Sequence, residues 1–569
     1  MSRRTPRAAL AAALLLVSLG SWAAAPDLNT ARAAAQQRDF AAALSVYAAL
    51  LVQSPQDVEL LIEVARVQGF ADHNREAAAL YRRALVIAPQ RRAELLPSLA
   101  WQTLWGGDAA AALPLFDALA DDPAQRADAL DGRGQARLAL DQPGTAAIDF
   151  RQALALNPDN TPLQRRLARA LLWADQPDAA AAVLQALLQR QPTNRDAAWA
   201  LAITHNLGGR HRLALREFAA LASPSGDAQR ADVARAWNWA GYADRAAPLL
   251  AGQTDPEVVW LRDFRVGREG RHLAYGGIEH AVDSDSLESL TTTVGGGLRL
   301  RSGATLDLRL RRLSLADANG SPTGEDLQAL YSWRLGDATD PGGSWWPALA
   351  LRALRLGGST VLGGLARVTW IPQDLWRVDA EWSRDRINTP KAVAEGVHAD
   401  ALSLGADHQL TPRLGVTAAI TGIRFDDGNR RLRLYGRAEY LLLPRPRWAA
   451  GVEATWFNAS RPTGPAVADR GYWNPARYQE ARVYLSWRWE RRPWDASARV
   501  GLGVSNETDG FGNRSTGHPN QWAIEFGHDF SPALRGTLSA AGSGSSLGLG
   551  SGGTGYWRRS LGMNLIAWF

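Results

Sequence analysis

The sequence predicts a two-part protein, an all-α superhelix of helical repeats followed by a transmembrane antiparallel β-barrel of about 16 strands. Three observations lead to this fold class: prolines that recur about every 34 residues, apolar residues that later alternate with polar ones, and a last strand that ends on an aromatic residue. We divide the 569 residues into a signal peptide (1–25), a repeat domain (26–256), a linker (257–270) and the barrel (271–569).

The first 25 residues have the layout of a secretory signal. Arg3, Arg4 and Arg7 precede an apolar stretch from 8 to 19, and small residues follow at 21–25. After this segment no stretch reaches the ~18 consecutive apolar residues of a membrane-spanning helix. We therefore expect an exported chain without a spanning helix.

Composition excludes several classes of site. Cysteine is absent, which rules out disulfides, thiolate zinc sites and cysteine catalysis. The pI near 9.8 and the net charge of +6 suggest a nucleic-acid partner, but residues 26–255 carry 23 Arg against 25 Asp plus Glu. Because the chain is also exported, we expect no nucleic-acid partner, and no pattern calls for a cofactor.

The first half of the chain repeats a helical pattern. Seven of its prolines recur at intervals of 34, 34, 35, 34, 32 and 32 residues: Pro55, Pro89, Pro123, Pro158, Pro192, Pro224 and Pro256. Small and aromatic residues precede them at a constant helical spacing: Ala43, Tyr47, Leu50; Ala77, Tyr81, Ala84; Ala146, Phe150, Ala153; Ala180, Leu184, Leu187; and Ala214, Phe218, Leu221. This spacing puts the pattern on one helix face and the proline where the next helix begins.

These residues resemble the second helix of the tetratricopeptide repeat, in six or seven copies. The resemblance implies stacked helix pairs with a concave groove that binds partners. Six tryptophans of this part either line that groove or pack between helices: Trp101, Trp105, Trp173, Trp199, Trp237 and Trp239.

From about residue 270 the period of the pattern becomes two. Residues 376–385 alternate apolar and charged side chains, and residues 306–311, 480–489 and 494–502 do the same. About sixteen such segments have roughly 9–12 residues each, the length that a tilted strand needs to cross a bilayer. A soluble β-sandwich is the alternative.

The lengths of the predicted connections favour the membrane barrel over the sandwich. Short turns carry prolines, and between them lie long connections near 386–396, 458–477, 506–520 and 543–553. The prolines of these turns are Pro372, Pro412, Pro444, Pro493 and Pro532. Connections near 284–287 and 336–344 fit this alternation less well.

The positions of the tryptophans and the pattern of the last strand also favour the membrane barrel. Of the 23 tryptophans, 16 follow residue 255, and many fall at strand ends, where an amphipathic ring suits the lipid headgroup level. The last strand places an apolar residue at every second position, namely Leu561, Met563, Leu565, Ala567 and Phe569. This strand resembles the terminal strand that outer-membrane proteins present to the barrel-assembly machinery, and it implies that partner.

A secreted repeat array before a barrel resembles the outer-membrane exopolysaccharide exporters, the family of the poly-N-acetylglucosamine export porin and the cellulose-synthase outer-membrane subunit. The segment 470–478 is similar to their Gly-Tyr-x-x-Pro-x-x-Tyr stretch. The resemblance implies export of a polysaccharide through the outer membrane of a Gram-negative bacterium, with periplasmic repeats that dock synthesis or modification proteins. This array is shorter than is usual there, and phage-adsorption proteins of similar layout are an alternative.

Alternation assigns one set of strand residues to the lumen, where they would meet the polymer. The predicted pore-lining residues are Arg309, Arg311, Arg377, Asp379, Glu381, Asp385, Arg433, Arg437, Glu439, Glu453, Glu480, Arg482, Tyr484, Arg488, Asp495, Arg499 and Glu525. A lumen of both signs suits a neutral or weakly charged glycan, with rings such as Tyr435 stacking on sugar faces. The alternative is that these charges only pair with one another and make the wall rigid.

Two further functions remain open from the sequence. A plugged barrel would serve as a membrane anchor, with the repeats as a scaffold for envelope proteins. An outer-membrane enzyme would need a hydroxyl nucleophile beside a histidine, but neither a Gly-x-Ser-x-Gly nor a His-Glu-x-x-His motif is present. We therefore expect no catalytic and no metal-binding residues.

Overall fold

The computed structural model describes residues 27–221, 223–300, 303–544 and 550–569. The predicted signal peptide lies outside the described residues. The chain divides into two compact units between Thr193 and Asn194, and each is described by itself.

The first unit consists of five antiparallel helix pairs. Its helices are α1 (Leu28–Gln36), α2 (Phe40–Gln53), α3 (Val58–Phe70), α4 (Asn74–Ile87), α5 (Arg92–Trp105), α6 (Ala109–Ala120), α7 (Arg126–Ala139), α8 (Pro143–Leu156), α9 (Thr161–Trp173) and α10 (Pro177–Arg190), with a 3-10 turn at Pro89–Arg91. The predicted small and aromatic positions form its core, since Ala43, Tyr47, Tyr81 and Phe150 are all at most 3% exposed. The repeat prediction is confirmed.

Pro89 and Pro256 begin helical elements, as expected, whereas three other repeat prolines lie in the connections just before a helix. Pro55, Pro158 and Pro192 each stand two residues before an N-cap, at Asp57, Asn160 and Asn194. Each cap side chain accepts a hydrogen bond from the amide three residues later, at 3.0–3.1 Å. The cap determines where the helix begins. The proline disfavours helical backbone angles in the residue that precedes it.

Two more helix pairs open the second unit. They are α11 (Arg195–Leu207) with α12 (His211–Ala220) and α13 (Asp227–Trp239) with α14 (Ala243–Leu250). A short run follows that connects to the barrel: α15 (Pro256–Trp260), a π-helical turn (Leu261–Val266) and α16 (Gly267–Gly270).

One antiparallel sheet makes up the rest of the second unit. Its strands are β1 (Leu273–Asp283), β2 (Glu288–Arg299), β3 (Thr305–Ala316), β4 (Thr323–Ser332), β5 (Ser344–Leu356), β6 (Ser359–Gln373), β7 (Trp376–Arg386), β8 (His398–Gln409), β9 (Leu414–Phe425), β10 (Arg430–Pro444), β11 (Arg447–Ala459), β12 (Arg477–Arg491), β13 (Trp494–Thr508), β14 (Arg514–Gly517), β15 (Asn520–Ser531), β16 (Leu534–Ser543) and β17 (Arg558–Trp568). A helix, α17 (Pro390–Ala394), lies between β7 and β8.

The sheet closes because β1 pairs with both β2 and β17. The short β14 and the following β15 both pair with β13, so together they count as one interrupted strand. The barrel therefore has sixteen strands, as the sequence predicted.

Connections differ in length between the two ends of the barrel. At the short-turn end lie 374–375, 445–446, 492–493 and 532–533. At the long-connection end lie 387–397, 460–476 and residues 550–557 before β17. Some connections break the alternation: 284–287, 357–358 and 426–429 are short at the long-connection end, and 333–343 is long at the short-turn end.

The outer face of the barrel is apolar. Leu351, Leu402, Val483 and Leu502 expose 61–78% of their surface, and the wall needs a lipid environment to cover such residues. Tryptophans ring this face near the short-turn end, where Trp345 stacks on Trp370 with 5.2 Å between ring centroids; the others there are Trp376, Trp448, Trp487 and Trp494. The barrel is of the transmembrane type.

The terminal strand β17 lies between β16 and β1. Its residues Leu561, Met563 and Leu565 expose 64%, 55% and 49% of their surface on the outer face, and Phe569 exposes 69%. Recognition of this strand by assembly machinery stays a prediction.

Candidate functional site: the barrel interior

The inner face of the barrel carries charged residues of both signs in contact with one another. Along β3, Arg309 and Arg311 alternate with Leu308 and Leu310, which expose 46% and 48% on the outer face. Because successive strand residues point to opposite faces, the charged set shares the inner face. We describe it as two clusters on different parts of the wall.

Asp326 is the centre of the first cluster. This residue of β4 is fully buried and binds Arg311 of β3 and Arg352 of β5, the latter with 2.6 Å between Nε and Oδ1. Arg352 also reaches Asp385 of β7, and Arg309 donates to Gln328. Two guanidinium groups balance the buried carboxylate of Asp326, since a buried charge without a partner is very costly.

Glu453 of β11 is the centre of the second cluster. Its carboxylate accepts from Arg482 Nη1 at 2.9 Å and from Arg499 Nη2 at 2.6 Å. Arg482 is 3% exposed and also binds Glu480 and Gln521. These contacts join β11, β12, β13 and β15 along the wall, so the cluster belongs to one side of the lumen.

Inward-facing glycines let long side chains cross a strand. The Tyr484 ring of β12 lies over Gly451 of β11, and its hydroxyl donates to Glu439 of β10 at 2.9 Å. Tyr275 of β1 lies over Gly295 of β2 in the same way and reaches Asp307 of β3. A Cβ at either glycine would collide with the tyrosine ring, so these positions need glycine.

The remaining predicted lumen residues lie on the same face of their strands. Arg377 binds Asp379, Asp495 binds Arg535, Arg437 contacts Thr417, and Glu381 pairs in register with Arg367. Arg433 is partly buried, whereas Arg488 and Glu525 are exposed. One face of the Tyr484 ring is already covered, because the Arg499 guanidinium carbon lies 3.6 Å from the ring centroid. Contact of these residues with a polymer stays a proposal.

Sequence reasoning missed Asp326, Arg352 and Tyr275. Residues 348–354 contain one charge among apolar or small residues, and residues 324–330 contain two adjacent charges, Glu325 and Asp326, which point to opposite faces. Neither run therefore identified the inner face. A signal was available in the glycines: Gly295, Gly451 and similar positions mark where a long side chain of the neighbouring strand must lie.

Apolar residues pack around helix α17 at the long-connection end. Val393 of α17 packs on the inward-facing Leu313 and Leu315 of β3 and on Leu354 and Leu356 of β5. On the other side of the helix, Ala392 belongs to a second cluster with Ile423, Phe425 and Tyr472. Helix α17 therefore lies inside the wall, between strands far apart in the sheet.

The last repeat packs against the short-turn end of the barrel. Tyr242 stacks edge-on to Trp346, with 5.8 Å between centroids, and the Arg334 guanidinium lies 3.9 Å from the Tyr242 ring. Arg334 also binds Asp244 at 2.9 Å. Residue Ala338 is buried in the same cluster, which explains why the connection 333–343 is long at this end.

The six repeat tryptophans divide into two sets. Trp101 packs on Phe116, Trp199 donates to Asp232, and Trp237 packs on Tyr242. The other three end the first helix of their repeats and are exposed: Trp105 (56%), Trp173 (55%) and Trp239 (43%). Trp239 also packs on His211 of α12, with 5.4 Å between ring centroids, whereas Trp105 and Trp173 are the most exposed of the six.

Histidines have separate partners. His280 binds Glu288 at 2.8 Å, His408 stacks on Trp376, and His528 stacks on Trp494. Within the described ranges no group of three or more metal-ligating side chains is arranged to hold a metal ion. No helix among those residues is long and apolar enough to cross a membrane.

Comparisons with known proteins agree with the repeat assignment. Residues 137–204 match the family model of the tetratricopeptide repeat. No curated protein sequence matches the chain. Among solved structures, a bacterial polysaccharide outer membrane secretin is 10% identical, over 53% of this chain and 99% of that chain, with a TM-score of 0.43.

Two further solved structures match parts of the chain: a tetratricopeptide repeat protein and a pilus biogenesis factor. One from Parabacteroides merdae is 17% identical over 41% of this chain and 95% of its own, with a TM-score of 0.36. The type IV pilus biogenesis factor PilW is 22% identical over 34% and 89%, with a TM-score of 0.29. Residues 137–204 are therefore tetratricopeptide repeats, and the chain joins helical repeats to a closed antiparallel barrel of sixteen strands.

Proposed function

We propose that the protein is an outer-membrane porin that exports an exopolysaccharide, with its repeats in the periplasm. The observation that carries the proposal is the paired character of the inner wall, where arginines and carboxylates neutralise each other around Asp326 and Glu453. Barrels of 16 strands are wide enough for an aqueous channel. A wall of both signs offers many donors and acceptors to sugar hydroxyls without a field that holds a charged polymer.

The repeats are proposed to dock polysaccharide synthesis or modification proteins of the periplasm or inner membrane. Tetratricopeptide arrays present extended surfaces of this kind. The exposed Trp105 and Trp173 are suited to such a contact, because tryptophan is enriched at protein interfaces. Which polymer is carried depends on the enzymes that the repeats meet.

A gene deletion tests the proposal. Matrix polysaccharide in the medium should fall strongly in the deletion strain and return when the full chain is supplied. A variant whose wall charge changes sign, Glu525→Arg, should restore secretion only in part, whereas the conservative Glu525→Gln should restore it fully. Normal secretion by the deletion strain, under conditions that induce the polymer, would contradict export.

A closed barrel that serves as an anchor or phage-adsorption receptor is the second candidate. It is favoured by the packing of α17 and its apolar clusters inside the long-connection end. Planar bilayers separate the two functions, since an exporter should show openings of the purified full chain under applied voltage, while a permanently plugged anchor should show none.

A further inference from the structure

The segment Gly471–Asn474 is buried at the long-connection end. It belongs to the connection 460–476, and Tyr472 and Asn474 each expose only 5% of their surface. Lys391 binds Asp469 at 2.8 Å, and Arg470 binds Glu395 at 2.9 Å. Two partly exposed ion pairs therefore hold the chain directly before this segment, and Arg470 also lies 3.5 Å from Asp426.

The ring and the hydroxyl of Tyr472 contact different residues. The ring stacks on Phe425, with 4.5 Å between centroids and 11° between planes. The hydroxyl donates to Asp427 Oδ2 at 2.8 Å and accepts from Asn429 Nδ2 at 3.2 Å. One flat surface, one acceptor and one donor therefore converge on a ring that bears a hydroxyl.

A buried arginine completes this site. Arg431 exposes 3% of its surface, and its guanidinium carbon lies 4.5 Å from the Phe457 ring and 5.3 Å from the Phe425 ring. Its Nη2 donates to the Trp473 carbonyl at 2.6 Å, but its Nε is buried without a hydrogen-bond partner among the described residues. Such an orphaned donor is costly in a merely structural core, where apolar residues would pack as well.

We propose that Phe425, Asp427, Asn429 and Arg431 form a saccharide-binding subsite in the barrel mouth, which Tyr472 of the same chain occupies in the closed state. A pyranose ring offers the same combination, an apolar face for stacking on an aromatic ring and hydroxyls that both donate and accept. The inference rests on the proposed function, because it takes the occupant to be the exported glycan.

The segment is held by contacts that can be released. Both ion pairs are partly exposed, and exposed pairs contribute little to stability. The turn at Gly471 needs glycine, because its φ is +79° and a Cβ would lie 2.5 Å from the backbone nitrogen of Ala392. The segment also accepts hydrogen bonds from Thr389 and Arg431 through its own carbonyls. The proposal therefore requires that a sugar chain at the subsite replaces these bonds as well as the contacts of Tyr472.

Saccharide binding to the purified full chain in detergent tests this inference. The probes are cellohexaose and chitohexaose, and the signal is the fluorescence of the chain's tryptophans, which include Trp473 beside the site. Tyr472→Ala should lower the apparent Kd about tenfold, because a self-occupied site reduces apparent affinity by the fraction of open molecules. Phe425→Leu in the Tyr472→Ala background should remove the gain.

Tyr556→Ala is the matched control. Tyr556 is also buried at this end, 7% exposed, but its hydroxyl bonds to Asp283 and it does not touch the subsite. The apparent Kd of the Tyr556→Ala variant should equal that of the unchanged chain. Equal gains in Tyr472→Ala and Tyr556→Ala, or no gain in Tyr472→Ala, would overturn the inference.

A second variant guards against misfolding. Lys391→Gln loosens the segment through Asp469 while leaving every subsite residue in place, and it should lower the Kd about threefold. A folded Lys391→Gln that binds no better than the unchanged chain also counts against the subsite. If the deletion strain secretes normally but Tyr472→Ala binds saccharide more tightly, export is rejected and the subsite is kept. If the deletion strain loses secretion but Tyr472→Ala binds no more tightly, export is kept and the subsite is rejected.

Discussion

Asp374 of the barrel caps a helix of the repeats through Arg212. Its Oδ1 accepts a hydrogen bond from the Arg212 amide at 2.7 Å, and its Oδ2 accepts one from the Leu213 amide at 3.0 Å. Helix α12 has no capping side chain of its own, because Arg210 occupies the N-cap position. A residue 162 positions away in the sequence thus satisfies the first amides of the helix.

We expect Asp374→Ala to loosen the repeats from the barrel. Loss of an N-cap costs ~1 kcal/mol, and the carboxylate also favours the positive end of the helix dipole. Hydrogen exchange should quicken at residues 211–220 in the full chain. Arg492→Ala, which removes an exposed ion pair with Glu257, is the control and should leave exchange unchanged.

Gly451→Val should prevent correct closure of the barrel. The added side chain would take the place of the Tyr484 ring and break its bond to Glu439. Overpacking of this kind costs ~1–3 kcal/mol before the lost hydrogen bond is counted. Heat-modifiable mobility on gels measures closure, and Gly436→Ala, where a Cβ meets nothing within 4 Å, should behave as the unchanged chain.

Gly134→Ala should destabilise the first unit although alanine is the better helix former. Gly134 lies in α7, and a Cβ there would approach the buried Phe150 ring to 2.6 Å. We expect a loss of ~1–3 kcal/mol in the free energy of unfolding. In α8, Gly144→Ala meets no atom within 4 Å and should gain up to ~1 kcal/mol. Urea titration of the helical circular dichroism signal compares them, and equal effects would contradict the packing argument.

Acid should weaken the repeats next to the barrel through His211. Burial lowers the pKa of His211, with Arg212 acting in the same direction and Asp374 opposing it. The unfolded chain therefore binds more protons than the folded one between the lowered pKa and ~6.5, so this stability is present above ~6.5 and is lost as the pH falls below it.

The thermal midpoint of the helical signal in the full chain measures this effect. It should be lower at about pH 5.5 than at about pH 7.5, and His211→Gln should reduce the difference. An unchanged difference in His211→Gln would assign the acid sensitivity to other groups.

Glu453→Gln should shift the ion selectivity of an open pore toward anions. The change leaves Arg482 and Arg499 without their shared carboxylate, and removal of one partner of a buried pair costs ~3–5 kcal/mol. Reversal potentials in a salt gradient measure selectivity, and melting measures stability. Glu525→Gln, on the same face but exposed, should change selectivity alone.

The sequence predicts those parts of the fold that repeat. Ala43 and Tyr47 recur with the helical period, and Leu561 and Met563 recur with the strand period, so each pattern reveals one buried or one lipid-facing side. Contacts between distant residues carry no such period. Asp374 as a cap, Asp326 between two arginines, and Tyr472 on Phe425 depend on which strands and connections meet, and only the closed sheet brings them together.

The core that Tyr242 shares with Ala338 and Trp346 sets an order of folding. The seventh helix pair cannot bury Tyr242 until β4 and β5 have paired and brought their connection to it. Until then this pair keeps the apolar surface around Tyr242 exposed, while the helix pairs described for the first unit form their cores with one another. The last repeat can therefore complete its core only after β4 and β5 have paired.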